Sequence, residues 1–260
     1  MIPIGDENPT LRTPWATYLL LGSLAGVWFY VQGAGAGLEL LRSVCNLGMV
    51  PGELTGLAQV GLAVPLGEVR TQAGVQAMAC VVDREAINLW TPLTSMFLHG
   101  GWMHLLGNAL YLWVFGNNVE DSMGRGRFLL FYLLCGLAAA GAQLLTDPAS
   151  PVPMVGASGA IAGVLGAYLL LYPRVHVRML FFIFVLPIPA WAVLIFWFGT
   201  QLLSGMPQLS PVDAEVSDGV AYWAHIGGFV AGLILAKFFE NHDFKHQRDR
   251  LRHELHPGHP

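Results

Sequence analysis

The sequence predicts an all-α membrane protein with six transmembrane helices. Its residues are 54% hydrophobic and only 12% charged, about half the charge content of an average soluble domain. The apolar residues fall in long blocks instead of following the helical period of 3.6 or the strand period of 2. The formal net charge of -4 is small and spread over the ends and loops, so no nucleic-acid partner is expected.

Six blocks reach or approach the ~20 apolar residues that a membrane helix needs. They lie at residues 15–31, 103–119, 127–145, 155–172, 180–203 and 221–239. The first is interpreted as a retained span, because Asp6 and Glu7 precede it where a signal peptide carries Lys or Arg. Pro187 and Pro189 interrupt the fifth block, so its helix should begin near Ala190 after a separate or bent entry.

A loop of about 70 residues separates the first two spans. Its mildly apolar stretches are interrupted by Glu53, Glu68 and Arg70, so we expect membrane-associated interfacial helices there, not a further span. Cys45 and Cys80 share this loop and can pair if it lies outside the cytoplasm; two reduced, semi-buried thiols fit the sequence at least as well.

The basic residues of the short loops orient the chain. They cluster after spans 2 and 4 and in the tail, at Arg125, Arg127, Arg174, Arg178, Lys245, Arg248, Arg250 and Arg252. The opposite loops carry acids instead, at Asp147, Asp213, Glu215 and Asp218. We therefore expect a cytoplasmic tail at 1–14, a six-helix domain at 15–239 and a charged cytoplasmic tail at 240–260, in the cell (inner) membrane.

Four polar residues stand out inside the spans: His104 and Asn108 in span 2, Ser158 in span 4 and His225 in span 6. Ionisable groups at membrane depth are costly and indicate a function by default. All four fall in the first turns of spans that start at the outer face, within roughly 10 Å of one depth. The sequence thus predicts one polar site just below the outer surface.

Serine and histidine at one depth permit acyl transfer, with Ser158 as nucleophile and His225 as base. The backbone N–H of Ser158 and the side chains of His104 and Asn108 can stabilise the oxyanion. The apolar spans offer no acid to orient His225, so we expect a dyad whose histidine ring is fixed by packing in span 6.

Glycines around these residues favour close helix packing. Gly156 and Gly159 flank the serine, and Gly228 follows the histidine on a face of small residues. Two glycine-faced helices can bring a histidine to a serine.

Each feature also has an ordinary structural explanation. A lone membrane serine bonds back to its own helix, spaced glycines serve plain packing, and a histidine near a helix end is often interfacial. His99 and the tail histidines could suggest metal binding, but their irregular spacing disfavours it; the tail histidines are His242, His246, His253, His256 and His259. We expect no metal and no organic cofactor. The shared depth favours the catalytic interpretation.

At these residues the sequence resembles the rhomboid family of intramembrane serine proteases. LTSMFLHGGWMHLLGNALYLWVFG is similar to the family's second-helix signature, a histidine pair followed by an asparagine, which maps onto His99, His104 and Asn108. The resemblance implies a supporting role for His99 beside the oxyanion donors His104 and Asn108. GASG matches the family's GxSG at Ser158, and AHIGGFVAG matches its AHxxGxxxG at His225. The matching motifs extend over residues 90 to 240.

The resemblance implies a rhomboid-like bundle of six helices around a water-filled cavity that opens outward. It implies hydrolysis of peptide bonds in or near transmembrane segments, with membrane proteins as substrates, and a mobile fifth helix that admits them. GNNVEDSMGRGRF is similar to the family's turn after span 2, where Glu120, Asp121 and Arg127 would tie the cytoplasmic ends of spans 2 and 3. Ordinary interfacial charges are the alternative.

Two other functions compete with proteolysis. A non-proteolytic relative would bind membrane clients, but such relatives typically lack the serine or the histidine, and both are present here. A small transporter would line a pathway across the whole bilayer with polar residues, whereas these cluster at one depth.

Overall fold

The computed structural model describes residues 2–71, 74–83, 88–209, 220–244 and 247. Several residues named above lie outside this part of the chain: Asp213, Glu215, Asp218, Lys245, His246, Arg248, Arg250, Arg252, His253, His256 and His259.

Helices make up most of the described chain. Their bounds are α1 (Trp15–Tyr30), α2 (Gly37–Leu47), α3 (Pro51–Thr55), α4 (Thr91–Thr94), α5 (Trp102–Tyr111), α6 (Asn117–Met123), α7 (Arg125–Thr146), α8 (Ser158–Leu171), α9 (Ala190–Gly205) and α10 (Tyr222–Phe239). A π-helical stretch, Leu112–Gly116, joins α5 and α6 into one continuous rod. Short 3₁₀ turns occur at Gly33–Gly35, Ser95–Phe97 and Met206–Leu209.

Within the described residues, five strands form two small antiparallel sheets. β1 (Ile2–Asp6), β4 (His176–Phe181) and β5 (Phe184–Pro189) make one sheet in the order β1-β4-β5, and β2 (Ala63–Thr71) pairs with β3 (Gly74–Val81) in the other. β5 is therefore an edge strand of its sheet. Pro187 and Pro189 lie in it, as expected for residues that have no N–H to offer a ladder.

Helix α8 lies at the centre of the bundle. Its residues Gly159–Tyr168 are all buried, as expected for a helix that is apolar on every side. α7 and α10 pack against it, and the core continues through large side chains on α1, α7 and α10, among them Trp28, Tyr132 and Phe229. The first residue of this central helix is Ser158.

The first fourteen residues, expected to be a tail, pack against the bundle. β1 pairs with β4, and Asp6 accepts hydrogen bonds from the Tyr168 hydroxyl at 2.5 Å and from Asn118 Nδ2 at 2.7 Å. Burial raises the pKa of the Asp6 carboxyl above its usual range, and the Tyr168 hydrogen bond partly offsets that rise.

Glu120 and Asp121 bond to the chain around the start of α1, not to span 3 as expected. Glu120 is buried and accepts the backbone N–H groups of Ala16 at 3.0 Å and Thr17 at 2.7 Å. These N–H groups lack acceptors within a helix's first turn, which explains why a carboxylate is placed there. Asp121 accepts the N–H of Arg12 at 3.1 Å and pairs with its guanidinium at 3.4 Å.

Arg127 also has a different partner. Its guanidinium donates to the carbonyl oxygen of Glu240 at 3.5 Å, just beyond the end of α10. Cations near a helix C-terminus satisfy its free carbonyl groups, so this residue links α7 to α10.

The loop between the first two spans contains α2, α3 and the β2–β3 hairpin, where only interfacial helices were expected. Glu68 and Arg70 lie in β2, so a strand pair stands where they interrupt the apolar stretches. The structure also settles the cysteine alternatives in favour of pairing. A disulfide joins Cys45 on α2 to Cys80 on β3, with Cα atoms 5.3 Å apart.

In the fifth block the helix begins at Ala190, as predicted. The apolar residues before it form the β4–β5 hairpin, so the separate entry is a strand pair. By length and composition, two described helices can cross a membrane, Arg125–Thr146 and Tyr222–Phe239; Ser158–Leu171 and Ala190–Gly205 are shorter apolar helices.

Candidate active site

Ser158 and His225 are in hydrogen-bond contact. The serine begins α8, the histidine lies in the first turns of α10, and His225 Nε2 is 2.7 Å from Ser158 Oγ. The other ring nitrogen, Nδ1, lies 2.8 Å from Gln201 Oε1 on α9. With Nδ1 protonated, Nε2 is free to accept the serine proton, which is the arrangement that activates a serine nucleophile.

Glycines explain how two helices bring these side chains together. A methyl group on Gly228 would lie 2.0 Å from the carbonyl oxygen of Gly159, and one on Gly232 would lie 2.0 Å from that of Gly163. Real Cβ atoms do not approach an oxygen this closely, so α8 and α10 reach their spacing only because both faces lack side chains.

His104 lies on the other side of the serine. Gly156 has a φ of +132°, and a methyl group there would lie 2.7 Å from His104 Nε2 and 3.4 Å from Ser158 Oγ. The Gly100 N–H donates to His104 Nδ1 at 3.4 Å, so in the neutral ring Nε2 carries the proton. His104 therefore presents an N–H donor towards the space above Gly156, close to the serine oxygen.

Asn108 follows His104 one turn later in α5. Its side-chain Nδ2 is buried and has no hydrogen-bond partner within the described residues. A buried amide donor without a partner is uncommon, because it costs free energy unless something else satisfies it. The Ser158, His225, His104 and Asn108 side chains all line one cavity of about 1070 Å³.

His99 lies behind His104 and does not line this cavity. It is fully buried, its ring centroid is 5.2 Å from that of His104, and Gln32 clamps its backbone through two hydrogen bonds of 2.9 and 2.8 Å. The two rings meet edge to face, at an interplanar angle of 78°.

The loop after the first span braces the segment that leads to the serine. Met49 and Met154 exchange backbone hydrogen bonds of 3.0 and 2.7 Å, and the Gly52 N–H donates to Ser150 O at 2.8 Å. The Gly156 N–H donates to Ser95 O at 2.9 Å. The backbone before α8 is therefore held by residues far away in the sequence.

Sequence reasoning missed Gln201. The sequence predicts that packing in span 6 fixes the His225 ring, and the ring does contact Tyr222 of α10, with centroids 6.5 Å apart. The ring also contacts two residues of α9, Gln201 at 2.8 Å and Trp197 with centroids 6.0 Å apart. An amide near the end of an apolar block was the signal available in the sequence.

Comparisons with known proteins all point to one family. The rhomboid domain family matches residues 86–241. The chain is 47% identical over 92 residues to rhomboid protease GluP of Bacillus subtilis, covering 35% of this chain and 17% of that protein. It is 30% identical over 162 residues to rhomboid protein 1, mitochondrial, of Saccharomyces cerevisiae, covering 61% and 44%. RHOMBOID-like protein 1 of Arabidopsis thaliana is 31% identical over 167 residues, covering 64% and 38%.

The fold and the comparisons define a mostly helical integral membrane protein. The chain belongs to the rhomboid family. It spans less than half the length of each of the relatives named above.

Proposed function

We propose that this protein is an intramembrane serine protease that hydrolyses peptide bonds in or near transmembrane segments of other membrane proteins. The observation that carries the proposal is the 2.7 Å contact between His225 Nε2 and Ser158 Oγ at the N-terminus of the central buried helix α8. The relative named a rhomboid protease supports the reaction class. A family relative that only binds clients has no need of a base in contact with a serine.

The residues suggest a two-step reaction. Ser158 Oγ attacks the carbonyl carbon of the substrate while its proton passes to His225 Nε2. The tetrahedral oxyanion is stabilised by the Ser158 N–H at the start of α8 and by the His104 and Asn108 donors. When the intermediate collapses, His225 protonates the leaving amine and an acyl-enzyme remains. A water molecule then attacks the acyl carbon while His225 takes a proton from it. When this second intermediate collapses, His225 returns the proton to Ser158 Oγ and the acid product is released.

The proposal includes the membrane arrangement. Six helices, α1, the rod from α5 to α6, α7, α8, α9 and α10, would span the cell (inner) membrane within a protease domain at 15–239. Both termini would face the cytoplasm, and the site would open to the outer face. The Cys45–Cys80 disulfide supports this orientation, since such bonds persist mainly outside the reducing cytoplasm. Substrates would be single-span proteins with small residues at the cut and a helix that unwinds easily.

A fluorophosphonate probe tests the nucleophile directly. We expect the purified wild type in detergent to form a covalent adduct that mass spectrometry locates on Ser158. Ser158→Ala should form none, and His225→Ala should label roughly 10²- to 10⁴-fold more slowly, because the general base is lost. Ser204→Ala, on the exposed side of α9, serves as the control and should label like wild type. Labelling that persists in Ser158→Ala would refute the assignment.

A further inference from the structure

The Gln201 side chain bonds to a ring nitrogen of His225 that does not face the serine. Gln201 lies on α9 and His225 on α10, and Gln201 Oε1 is 2.8 Å from His225 Nδ1. An amide can meet this nitrogen either as acceptor, through Oε1, or as donor, through Nε2. These two orientations select opposite tautomers of the imidazole. The orientation of the Gln201 amide therefore decides whether His225 Nε2 can act as a base.

A neighbouring residue fixes the orientation of that amide. The Thr200 hydroxyl donates its single proton to the Trp197 carbonyl oxygen at 2.6 Å. It can therefore only accept from Gln201, and Gln201 Nε2 lies 3.2 Å from Thr200 Oγ1. With Nε2 directed at Thr200, Oε1 faces the histidine. The chain of bonds then runs from the Trp197 carbonyl through Thr200 and Gln201 to His225 and Ser158.

We infer that Gln201 is a positioning residue, held by Thr200, that keeps His225 in the tautomer with its proton on Nδ1 and a free lone pair on Nε2. This inference rests on the proposed function and adds a third group, carried by a different helix, to the serine–histidine pair.

Ring packing alone does not perform this role. Trp197 and Tyr222 contact the His225 ring with centroids 6.0 and 6.5 Å away, at interplanar angles of 35° and 88°. Such contacts hold the plane of the ring, but they do not distinguish its two nitrogens. The Gln201 carbonyl oxygen does, because it can only accept a proton. The wrong tautomer is known to be costly when a histidine serves as a base.

Four variants of the full-length protein in detergent test the inference. Gln201→Leu removes the acceptor at similar size, Gln201→Glu keeps an acceptor, and Thr200→Val removes the hydroxyl that orients the amide. Ser204→Ala is the matched control on an exposed position of α9. Cleavage of a single-span substrate gives kcat and KM. Nitrogen-15 NMR of histidine-labelled protein, with the His225 signals assigned by their loss in His225→Ala, gives the tautomer.

We expect Gln201→Leu to lower kcat by roughly 10- to 1,000-fold while KM changes less than about twofold, because the residue does not line the cavity. The Nδ1-protonated fraction of His225 should fall in the same variant. Gln201→Glu should recover kcat to within about tenfold of wild type. The kcat of Thr200→Val should lie between those of Gln201→Leu and wild type, and Ser204→Ala should match wild type.

The possible failures are separable. If Ser158→Ala cleaves as well as wild type, the proposed function fails whatever Gln201 does. If Ser158→Ala is inactive but Gln201→Leu keeps the wild-type kcat and tautomer, only the positioning role is wrong. A Gln201→Leu protein that has lost activity but kept the wild-type tautomer would also overturn the inference, since the loss would then be purely structural.

Discussion

At the residue scale, the site depends on a space next to Ser158 that is kept free of side chains. His104 Nε2 and Ser158 Oγ both approach the position that a Gly156 side chain would occupy. In the adduct between substrate and Ser158, the oxyanion, which is the former carbonyl oxygen of the substrate, would lie in this space and meet the His104 donor. Glycine is required twice, because its φ of +132° also disfavours any other residue.

Gly156→Ala should abolish most of the activity while the protein still folds. The methyl group would collide with the His104 ring, and losing one oxyanion donor costs roughly 10²- to 10³-fold in kcat. Gly67→Ala is the matched control, since Gly67 has a similar φ of +144° but open space around it. Cleavage rates and melting temperatures of the two variants separate obstruction from backbone strain. Near-normal activity of Gly156→Ala would contradict this account of the space.

Glu120 shows how a buried charge serves packing. Its carboxylate accepts three hydrogen bonds from Ala16 and Thr17, including the Thr17 hydroxyl at 2.8 Å. Glu120→Ala should lower stability by about 1–3 kcal/mol, because the first N–H groups of α1 would be left buried without an acceptor. Glu7→Ala, which removes a carboxylate that is 53% exposed, should change the melting temperature little. Equal effects of the two variants would refute the capping role.

The residue-scale predictions from sequence were uneven for a physical reason. His104, Asn108, Ser158 and His225 stood out because ionisable or polar groups are rare at membrane depth. Gln201 did not, since an uncharged amide at the end of an apolar block has many ordinary uses. Its role depends on packing between α9 and α10, which spacing within one segment does not reveal.

At the element scale, α8 and α10 are the pair that assembles the serine and the histidine. Their approach is set by backbone contacts such as the Gly228 position against Gly159 O. Gly228→Ala should cost about 1–3 kcal/mol and reduce activity, because the helices must separate to admit the methyl group. Gly141→Ala on α7 has open space and should be neutral or stabilise by up to ~1 kcal/mol. Thermal melting and cleavage rates check both; an unaffected Gly228→Ala would contradict the close packing.

The elements themselves were predicted where composition determines them. Each of the six apolar blocks contains a helix, and the proline signal placed the start of α9 correctly at Ala190. The β4–β5 hairpin was missed because a short apolar run reads equally well as buried strand or helix. Its neighbour in the sheet, β1, lies at the other end of the sequence, so no local pattern indicates the pairing.

At the scale of the whole molecule, the loop between the first two spans acts as a brace for the site. The Cys45–Cys80 disulfide closes that loop, which in turn bonds to the segment before Ser158. In protein isolated from cells without reductant, Cys45 and Cys80 should not react with maleimide, because both sulfurs are held in the disulfide. Replacing both cysteines by serine should destabilise it by about 2–4 kcal/mol. Free thiols at Cys45 and Cys80 in folded, unreduced protein would contradict both the brace and the proposed outward orientation of the loop.

The central claim is that Ser158 and His225 together cut a membrane-embedded substrate. The most direct test is cleavage of a model single-span protein by purified full-length chain in detergent, comparing wild type with Ser158→Ala and His225→Ala. We predict product with wild type and none above background with either variant, while all three melt at similar temperatures. Cleavage that persists in Ser158→Ala would contradict the claim, and no cleavage of several single-span substrates by folded wild type would favour a client-binding function instead.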